Sequence, residues 1–578
     1  MARGASVPEP ARRSDHAAAG GDATLPRMTV NRHFVTLDGR YGTRQVHYRR
    51  SGEGPVVLLL HQSPQSSREM EGLMGQWSRD FTLIAPDTPG YGQSDPLREA
   101  HPSIADLAAA LGEFADALGL GRFGIYGFHT GASIGAWLAA AAPARVTAVA
   151  AHGLAQLTAA ERADILAHYL PPLEPRWDGS HLAWLWSRIR EQTIFFPWYR
   201  PSAATRMALD VPDAAKLQAG ALELLRAGEH YATAYRAAFE SQPDSILPNL
   251  RVPVLITTGG GDPLAAHLDR LRDLPDGVRA VHAASATDAL ARCHRHLREH
   301  PGESAPPPPP TRPLVGRSWS RMLQVNGADV HVRTRDGGSG RPLVLLHGAG
   351  RSSANLLALA NDSPAGPVVI PDLPGHGESS PLAGNPLDTA AAAIDAVLAA
   401  QGVPADAGLV GRGAGAAIAL DLARRRSAGL VALLDVPART AEEQQAFNAT
   451  GLPDLSPQWH GGHLLAAWHM LRDARLFTPW FDRRAAASLS GEPAVDPGSV
   501  QAELVELLKA VDNWRELERA AQAYPYAERL AAVRGPRLAA APGGGRALTQ
   551  RLAAATSLPF TALPPAESGW LARLREAP

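Results

Sequence analysis

The sequence predicts two tandem α/β units, each a mostly parallel sheet with flanking helices and a helical cap insertion. Three observations carry this expectation. Short apolar runs such as VVLLL at 56–60 end in turn residues and alternate with alanine-rich stretches. A tryptophan-rich stretch in the first half repeats in the second at one fixed shift. A proline-rich segment, PGESAPPPPPTRP at 301–313, stands between the two halves. Apolar runs of this length bounded by turns read as buried parallel strands. Consecutive prolines favour an extended polyproline II spacer and cannot sit inside a packed helix or sheet.

Taken in order, the elements agree between halves. VVLLL runs into His61-Gln62-Ser63-Pro64, and its counterpart LVLLH runs into Gly348-Ala349-Gly350. A next strand, FTLIAPD, leads to TPGYGQSD; VVIPD leads to LPGHGESS. Then RFGIYG feeds the turn GFHTGAS and the helix GASIGAWLAAAAPARV. Further on, WDGSHLAWLWSRIREQTIFFPW begins at Trp177 and WHGGHLLAAWHMLRDARLFTPW at Trp459, a shift of 282 residues. That shift pairs Gly179 with Gly461, His181 with His463, Trp186 with Trp468, and Arg190 with Arg472. It also pairs Phe195, Pro197 and Trp198 with Phe477, Pro479 and Trp480. The chain therefore reads as a tandem duplication.

Length and composition bound the rest. A chain of 578 residues exceeds what one hydrophobic core supports. The expected division is a disordered tail over 1–27, a domain over 28–300 with its cap at 155–245, a linker over 301–315, and a second domain over 316–578 with its cap at 438–528. A net charge of −1 with 20% charged residues argues against nucleic-acid or polybasic membrane partners. The expected partner is a small-molecule substrate or ligand. Cys293 is the single cysteine, so no internal disulfide forms, which fits a reducing cytosol and a cytoplasmic protein. No apolar run approaches the roughly 18 residues of a membrane span.

Strand, glycine-flanked turn, helix is the setting of a nucleophile elbow. On HQSPQSS, DTPGYGQSD and GFHTGAS in the first half, and HGAGRSS, DLPGHGESS and GRGAGAA in the second, both halves resemble α/β-hydrolase-fold proteins, over about 30–300 and 316–578. The resemblance implies a nucleophile at the elbow, an acid after a late strand, a histidine after the last strand, and backbone N–H groups that hold an oxyanion. In the second half the nucleophile position is Gly413, PGGGRA lacks the acid and PPAESGW lacks the histidine. Asp435 could be a relocated acid with nothing to orient, and Asp372 and His376 read as loop-structuring. This half is expected to be a non-catalytic copy that packs on the first as an intramolecular pseudo-dimer.

In the first half His129 replaces the serine, and Asp262, after VPVLITT, stands where the acid belongs. No histidine occupies the expected loop near Ala286-Thr287; His282 is too early, and His294 and His296 are too late. Ser133 lies a full helical turn past the elbow. Gln62 and Thr130 are placed for the oxyanion site, though Thr130 could equally act as a helix cap. His61, His129 and His152 each end a predicted parallel strand, where ligands gather in such sheets, and His181 in the cap could close over them.

Three readings follow. His129 acts as general base or nucleophile with Asp262 fixing its tautomer. Alternatively, His61, His129, His152 and Asp262 hold zinc or iron, although no local ligand motif such as H-E-x-x-H supports this and no metal or cofactor is assigned. Or the pocket binds a ligand without chemistry. The first reading implies a hydrolase of a small apolar ester, lactone or activated carbonyl compound, active only in its first half. Trp184, Trp186, Phe195, Phe196 and Trp198 have the spacing of a packed helix face before that of a substrate pocket.

Overall fold

A computed structural model describes residues 29–362, 366–565 and 567–576; the tail expected over 1–27 lies outside them. The apolar runs form strands because a residue in a central parallel strand is buried on both faces. The first half contains β1 (Asn31–Gly39), β2 (Gly42–Ser51), β3 (Val56–Leu60), β4 (Thr82–Pro86), β5 (Phe123–Phe128), β6 (Val146–His152), β7 (Val254–Thr258) and β8 (Val278–His282). They form one sheet in the order β1-β2-β4-β3-β5-β6-β7-β8, antiparallel as far as β4 and parallel from β4 to β8.

The second half repeats this with β9 (Trp319–Val325), β10 (Ala328–Arg335), β11 (Leu343–Leu346), β12 (Val368–Pro371), β13 (Gly408–Arg412), β14 (Val431–Leu434), β15 (Arg537–Ala540) and β16 (Phe560–Ala562). Its order, β9-β10-β12-β11-β13-β14-β15-β16, is the first order moved on by eight strands. Two tandem α/β domains are thus present. Between β6 and β7, and again between β14 and β15, the chain leaves the sheet for helical caps.

The repeated tryptophan motif lies where the halves meet. Helix Ser180–Glu191 packs on helix Gly462–Asp473, and Ala214–Ala227 packs on Pro497–Lys509. Trp186 Nε1 donates to Trp459 O at 2.9 Å, and Trp468 Nε1 donates reciprocally to Trp177 O at 3.4 Å. A methyl group on Gly179 would lie 2.8 Å from the Trp468 ring, and one on Gly461 would lie 2.5 Å from the Trp186 ring. Leu464, Trp468, Leu504 and Leu507 of the second cap belong to the same apolar core as Leu182 and Trp186 of the first. Beside the caps, Gln45 of β2 exchanges two hydrogen bonds with the backbone of Ser320 on β9, at 3.0 and 2.7 Å.

Residues 301–318, which include the segment read as a linker over 301–315, hold no helix or strand. Rather than spanning open solvent, the segment is strapped to the first domain. Val56 N donates to Glu303 O at 2.9 Å, Thr311 Oγ1 donates to Phe34 O at 2.8 Å, and Leu314 is buried. No helix of the described residues is long and apolar enough to cross a membrane.

Candidate active site

The site grows from the parallel pairing of β3, β5 and β6. Leu60 faces Gly127 and Phe128 faces His152, so three strands end side by side. His129 follows β5 directly and caps helix Thr130–Ala141 with φ 47° and ψ −105°. A non-glycine residue in that region is strained. The turn throws the His129 side chain above the strand ends and leaves the first N–H groups of the helix, beginning with Thr130, without helical partners. Thr130 is itself the first helical residue, so the N-cap position belongs to His129.

His129 Nε2 lies 3.1 Å from Asp262 Oδ2. Asp262 sits in the turn after β7, and its other oxygen accepts Leu264 N–H at 2.8 Å. Burial works against its charge, but the His129 contact and the Leu264 N–H outweigh it and hold the carboxyl below its usual range. The His129 side chain retains 22% exposure and that of Asp262 10%, so the ring is the accessible partner. Phe128 stacks on His129 at 4.1 Å between ring centres. A methyl group on Gly153 (φ 81°) would lie 2.8 Å from His129 Nε2, so the ring rests on a glycine that no other residue could replace without moving it.

His152 stands behind this layer. Its Nδ1 is hydrogen-bonded to the Tyr126 hydroxyl at 3.0 Å, its ring meets Phe128 edge-on, and its carbonyl accepts His129 N–H at 2.9 Å. Burial lowers its pKa to about 4, leaving a neutral ring at neutral pH. His152 supports the elbow from below.

Several sequence expectations are corrected. His61 does not line a pocket: Thr88 N–H donates to Nε2 at 2.9 Å and Nδ1 donates to Gln62 O at 2.8 Å, so both nitrogens are spent on joining two loops. His347 makes the same pair of bonds in the second half, to Leu373 N and Gly348 O. His181 does not close over the elbow. It accepts Arg176 N–H at 3.0 Å and sets its ring edge-on to Trp468 of the other half. The Gln62 backbone N–H, expected at the oxyanion site, instead donates to Glu69 at 3.1 Å, and one N–H of its side-chain amide does so at 2.6 Å. Nor do His61, His129, His152 and Asp262 converge as metal ligands. Among the described residues the one group with donor atoms that close is His296, Glu299 and His300, at the other end of the fold in and just after helix Ala286–Glu299.

The remaining histidines are not triad substitutes either. Helix Ala286–Glu299 starts where the histidine loop would be, with Ser285 as its cap. His294 pairs with Asp80, and His282 pairs with Asp269 on the surface. Asp372 accepts from His331 and from Ser353 N–H, as Asp87 does from His47 and Ser67 N–H, which makes both loop anchors. Of the cap aromatics, Trp186 is buried against the second half and Trp198 Nε1 donates to Tyr169 O. Sequence reasoning missed Tyr126, Glu69 and His267. His267 accepts Gln156 N–H at 3.0 Å, within electrostatic reach of Asp262.

In the second half Arg412, Gly413 and Asp435 take the places of Phe128, His129 and Gly153. Gly413 keeps the turn at φ 57° and ψ −125°. Asp435, at φ 50°, occupies the position of the glycine under the ring and pairs with Arg412 Nε at 2.9 Å. Arg412 also binds Glu567 at 2.9 Å and covers the Trp570 ring. The elbow survives as backbone and its polar contents are tied into a salt-bridge network.

Comparison with known proteins fits both halves. A family model described as alpha/beta hydrolase fold matches residues 55–284, and one described as alpha/beta hydrolase family matches 343–575. An uncharacterized hydrolase of Saccharomyces cerevisiae is 34% identical over 107 residues, 18% of this chain and 37% of that protein. A soluble epoxide hydrolase of Corynebacterium sp. is 30% identical over 110 residues, 19% of this chain and 37% of that protein. Haloalkane dehalogenase 2 of Mycobacterium bovis is 33% identical over 93 residues, 16% of this chain and 31% of that protein. The chain thus spans about a third of the length of the curated relatives it matches. Among solved structures, epoxide hydrolase A from Mycobacterium thermoresistibile aligns with 48% of this chain and 100% of its own at 19% identity and a TM-score of 0.36.

Proposed function

Because the chain belongs, twice over, to the α/β-hydrolase superfamily, we propose that its first half hydrolyses a small apolar ester, lactone or activated carbonyl compound through His129. The observation that carries this reading is the His129–Asp262 pair at the elbow, 3.1 Å apart. Asp262, kept ionised, accepts from Nε2–H, which fixes the proton on that nitrogen and leaves the Nδ1 lone pair as base. His129 Nδ1 then takes a proton from water as it attacks the carbonyl carbon. The free N–H groups at the start of helix Thr130–Ala141 supply dipoles for the developing oxyanion. The second half has no side chain at its elbow and acts by packing, its cap completing the core of the first.

One observation favours a second reading, a pseudoenzyme that binds a ligand without turnover. The backbone N–H of Gln62, on the loop expected to hold the oxyanion, and one N–H of its side-chain amide both donate to the Glu69 carboxyl group. The two readings part on a single comparison of full-length wild type and His129→Ala, with 4-nitrophenyl acetate and dihydrocoumarin as substrates and circular dichroism as the check on folding. Loss of about 100-fold in kcat/KM, the lower range for a general base, supports hydrolysis. Turnover indifferent to the substitution removes the His129 role, and absence of turnover in wild type leaves the binding reading.

A further inference from the structure

Glu69 lies on the short turn Ser67–Met70, whose start Ser66 caps. Its carboxyl group receives two hydrogen bonds from Gln62, one from the backbone at 3.1 Å and one from the side-chain amide at 2.6 Å. The loop that carries Gln62 abuts the elbow. In the second half Gly348 holds the same place, and a methyl group there would lie 3.4 Å from Arg412 O and 3.8 Å from Ala414 N. The charge of His129 reaches the Glu69 carboxyl group.

The duplication supplies an internal comparison. Counting from His61 and His347, Gln62 corresponds to Gly348 and Glu69 to Asn355. Asn355 does something else: its Oδ1 accepts Ser352 N–H at 3.0 Å and closes a local cap. Gln62, Glu69, His129 and Asp262 are therefore all absent from the half whose elbow is empty. His61, Asp87 and His181, which brace loops or the interface, all persist there as His347, Asp372 and His463. Residues lost together from one copy mark a shared task.

We propose that Glu69 is a second catalytic residue of the first-half site, the acid that protonates the substrate's carbonyl oxygen while His129 takes the proton of the attacking water. This rests on the His129 reading above. One water O–H bond breaks, its proton passes to His129 Nδ1, and its oxygen bonds to the carbonyl carbon. The π pair of the carbonyl moves onto oxygen, which receives the Glu69 proton. On collapse that proton returns to Glu69 as C=O re-forms. The bond to the leaving oxygen breaks, and that oxygen takes the proton from His129. Gln62 is a positioning residue: two of its N–H groups fix the carboxyl group and leave its acidic proton to point elsewhere.

The surroundings suit an acid that keeps its proton near neutrality. Although part of Glu69 reaches the surface, the crowding of atoms around it makes lost hydration the dominant influence, which pushes its pKa up to about 7 against the opposing Gln62 bonds. Charged and titratable groups within reach are His129 at the elbow and Glu223 of the cap, with Tyr126 of β5 and Tyr235 of the cap neutral. Glu223 raises the proton affinity further and His129 lowers it.

The test uses full-length wild type, Glu69→Gln and His129→Ala, with kcat/KM for 4-nitrophenyl acetate and dihydrocoumarin followed from about pH 5 to about pH 9. We expect wild-type activity to fall on the alkaline side, and Glu69→Gln to lose about 100-fold at about pH 6 and to lack that alkaline fall. His129→Ala should be inactive throughout. If Glu69→Gln keeps the alkaline fall while His129→Ala is dead, the acid role is overturned and the base role stands. If His129→Ala remains active, the base role fails, and Glu69 with it. A second measurement needs no substrate: an infrared band of a protonated carboxyl at about pH 6, lost by about pH 8.5 and missing from Glu69→Gln. Absence of that band overturns the proposal whatever turnover shows.

Discussion

The two elbows of this chain share a backbone and almost nothing else. At one, a histidine at φ 47° rests on a glycine and meets an aspartate; at the other, a glycine at φ 57° leaves room for an aspartate bound to arginine. The exchange is reciprocal. His129 over Gly153 has become Gly413 over Asp435, so the bulky residue has moved from the exposed tip of the turn to the strand end beneath it. The half with no elbow side chain holds an ion pair there, and its own strained residue is Asp435 at φ 50°. A half that holds a strained histidine against an acid keeps a conformation that costs about 1–2 kcal/mol.

The sharpest way to break this comparison is to turn the first elbow into the second. His129→Gly removes the base and relieves the strain at once. We expect kcat/KM for 4-nitrophenyl acetate to fall by about 100-fold or more, while the thermal midpoint stays level or rises by a few degrees, as for relief of about 1 kcal/mol. Calorimetry on the same samples checks the second half of the expectation. A variant that is both inactive and less stable would mean that His129 serves the fold.

The interface tests the opposite claim, that what the halves share is structural. Gly179 and Gly461, both at φ 75°, each admit the other half's tryptophan ring. Gly179→Ala and Gly461→Ala should each lower stability by about 2–3 kcal/mol, from overpacking together with backbone strain. The two losses should be alike, because the contacts are reciprocal. Denaturant unfolding of the two variants measures this, and a loss at one glycine only would show that the interface is not symmetric in energy.

Much of this arrangement is legible in the amino-acid sequence. The elbow follows from G-x-H-x-G between an apolar run and an alanine-rich helix, a local pattern, and Asp262 stands after VPVLITT, where the resemblance implies an acid. The shared fold of the halves is legible because each has to repeat the other. His61 misleads for a physical reason: periodicity places its Cα at the carboxyl end of β3 but does not say where the ring turns, and the Thr88 N–H from the next loop captures it. Its persistence as His347 in the empty copy is the available signal, the same one that marks His181 as structural through His463. Glu69 escapes notice because SSREM reads as an ordinary polar turn. Its task depends on a contact between the loop after β3 and the turn after β5, set by strand pairing and not by sequence distance. The losses of Gln62 to Gly348 and Glu69 to Asn355 are the trace it leaves.

A finer test addresses the glycine beneath the ring. Gly153→Ala places a methyl group against His129 and should reduce both stability and turnover. In a His129→Gly background part of that penalty disappears, leaving only the backbone strain of alanine at φ 81°. The double-mutant cycle should therefore show a coupling of about 1 kcal/mol in unfolding free energy, typical of residues in contact. Strict additivity would mean that the ring can move aside, and that the exchange with Gly413 and Asp435 is not driven by space.

At neutral pH the smallest effect belongs to the polar pair under the elbow. Tyr126 and His152 bind each other, and their counterparts are Val410 and Leu434. Replacing both by apolar residues, as Tyr126→Phe with His152→Leu, leaves no orphaned partner and should be nearly neutral for stability. The difference emerges in acid. Burial depresses the His152 pKa in the folded protein to about 4 from 6.5, so between those values the unfolded chain binds more protons than the folded one. Stability then falls as pH drops through that window, and the double variant should lose this part of the fall. Unfolding of both proteins at about pH 7 and about pH 4.5 reads the difference: parallel losses would mean that His152 is hydrated in the folded state, and that the first elbow lacks the dry support its neutral ring supplies.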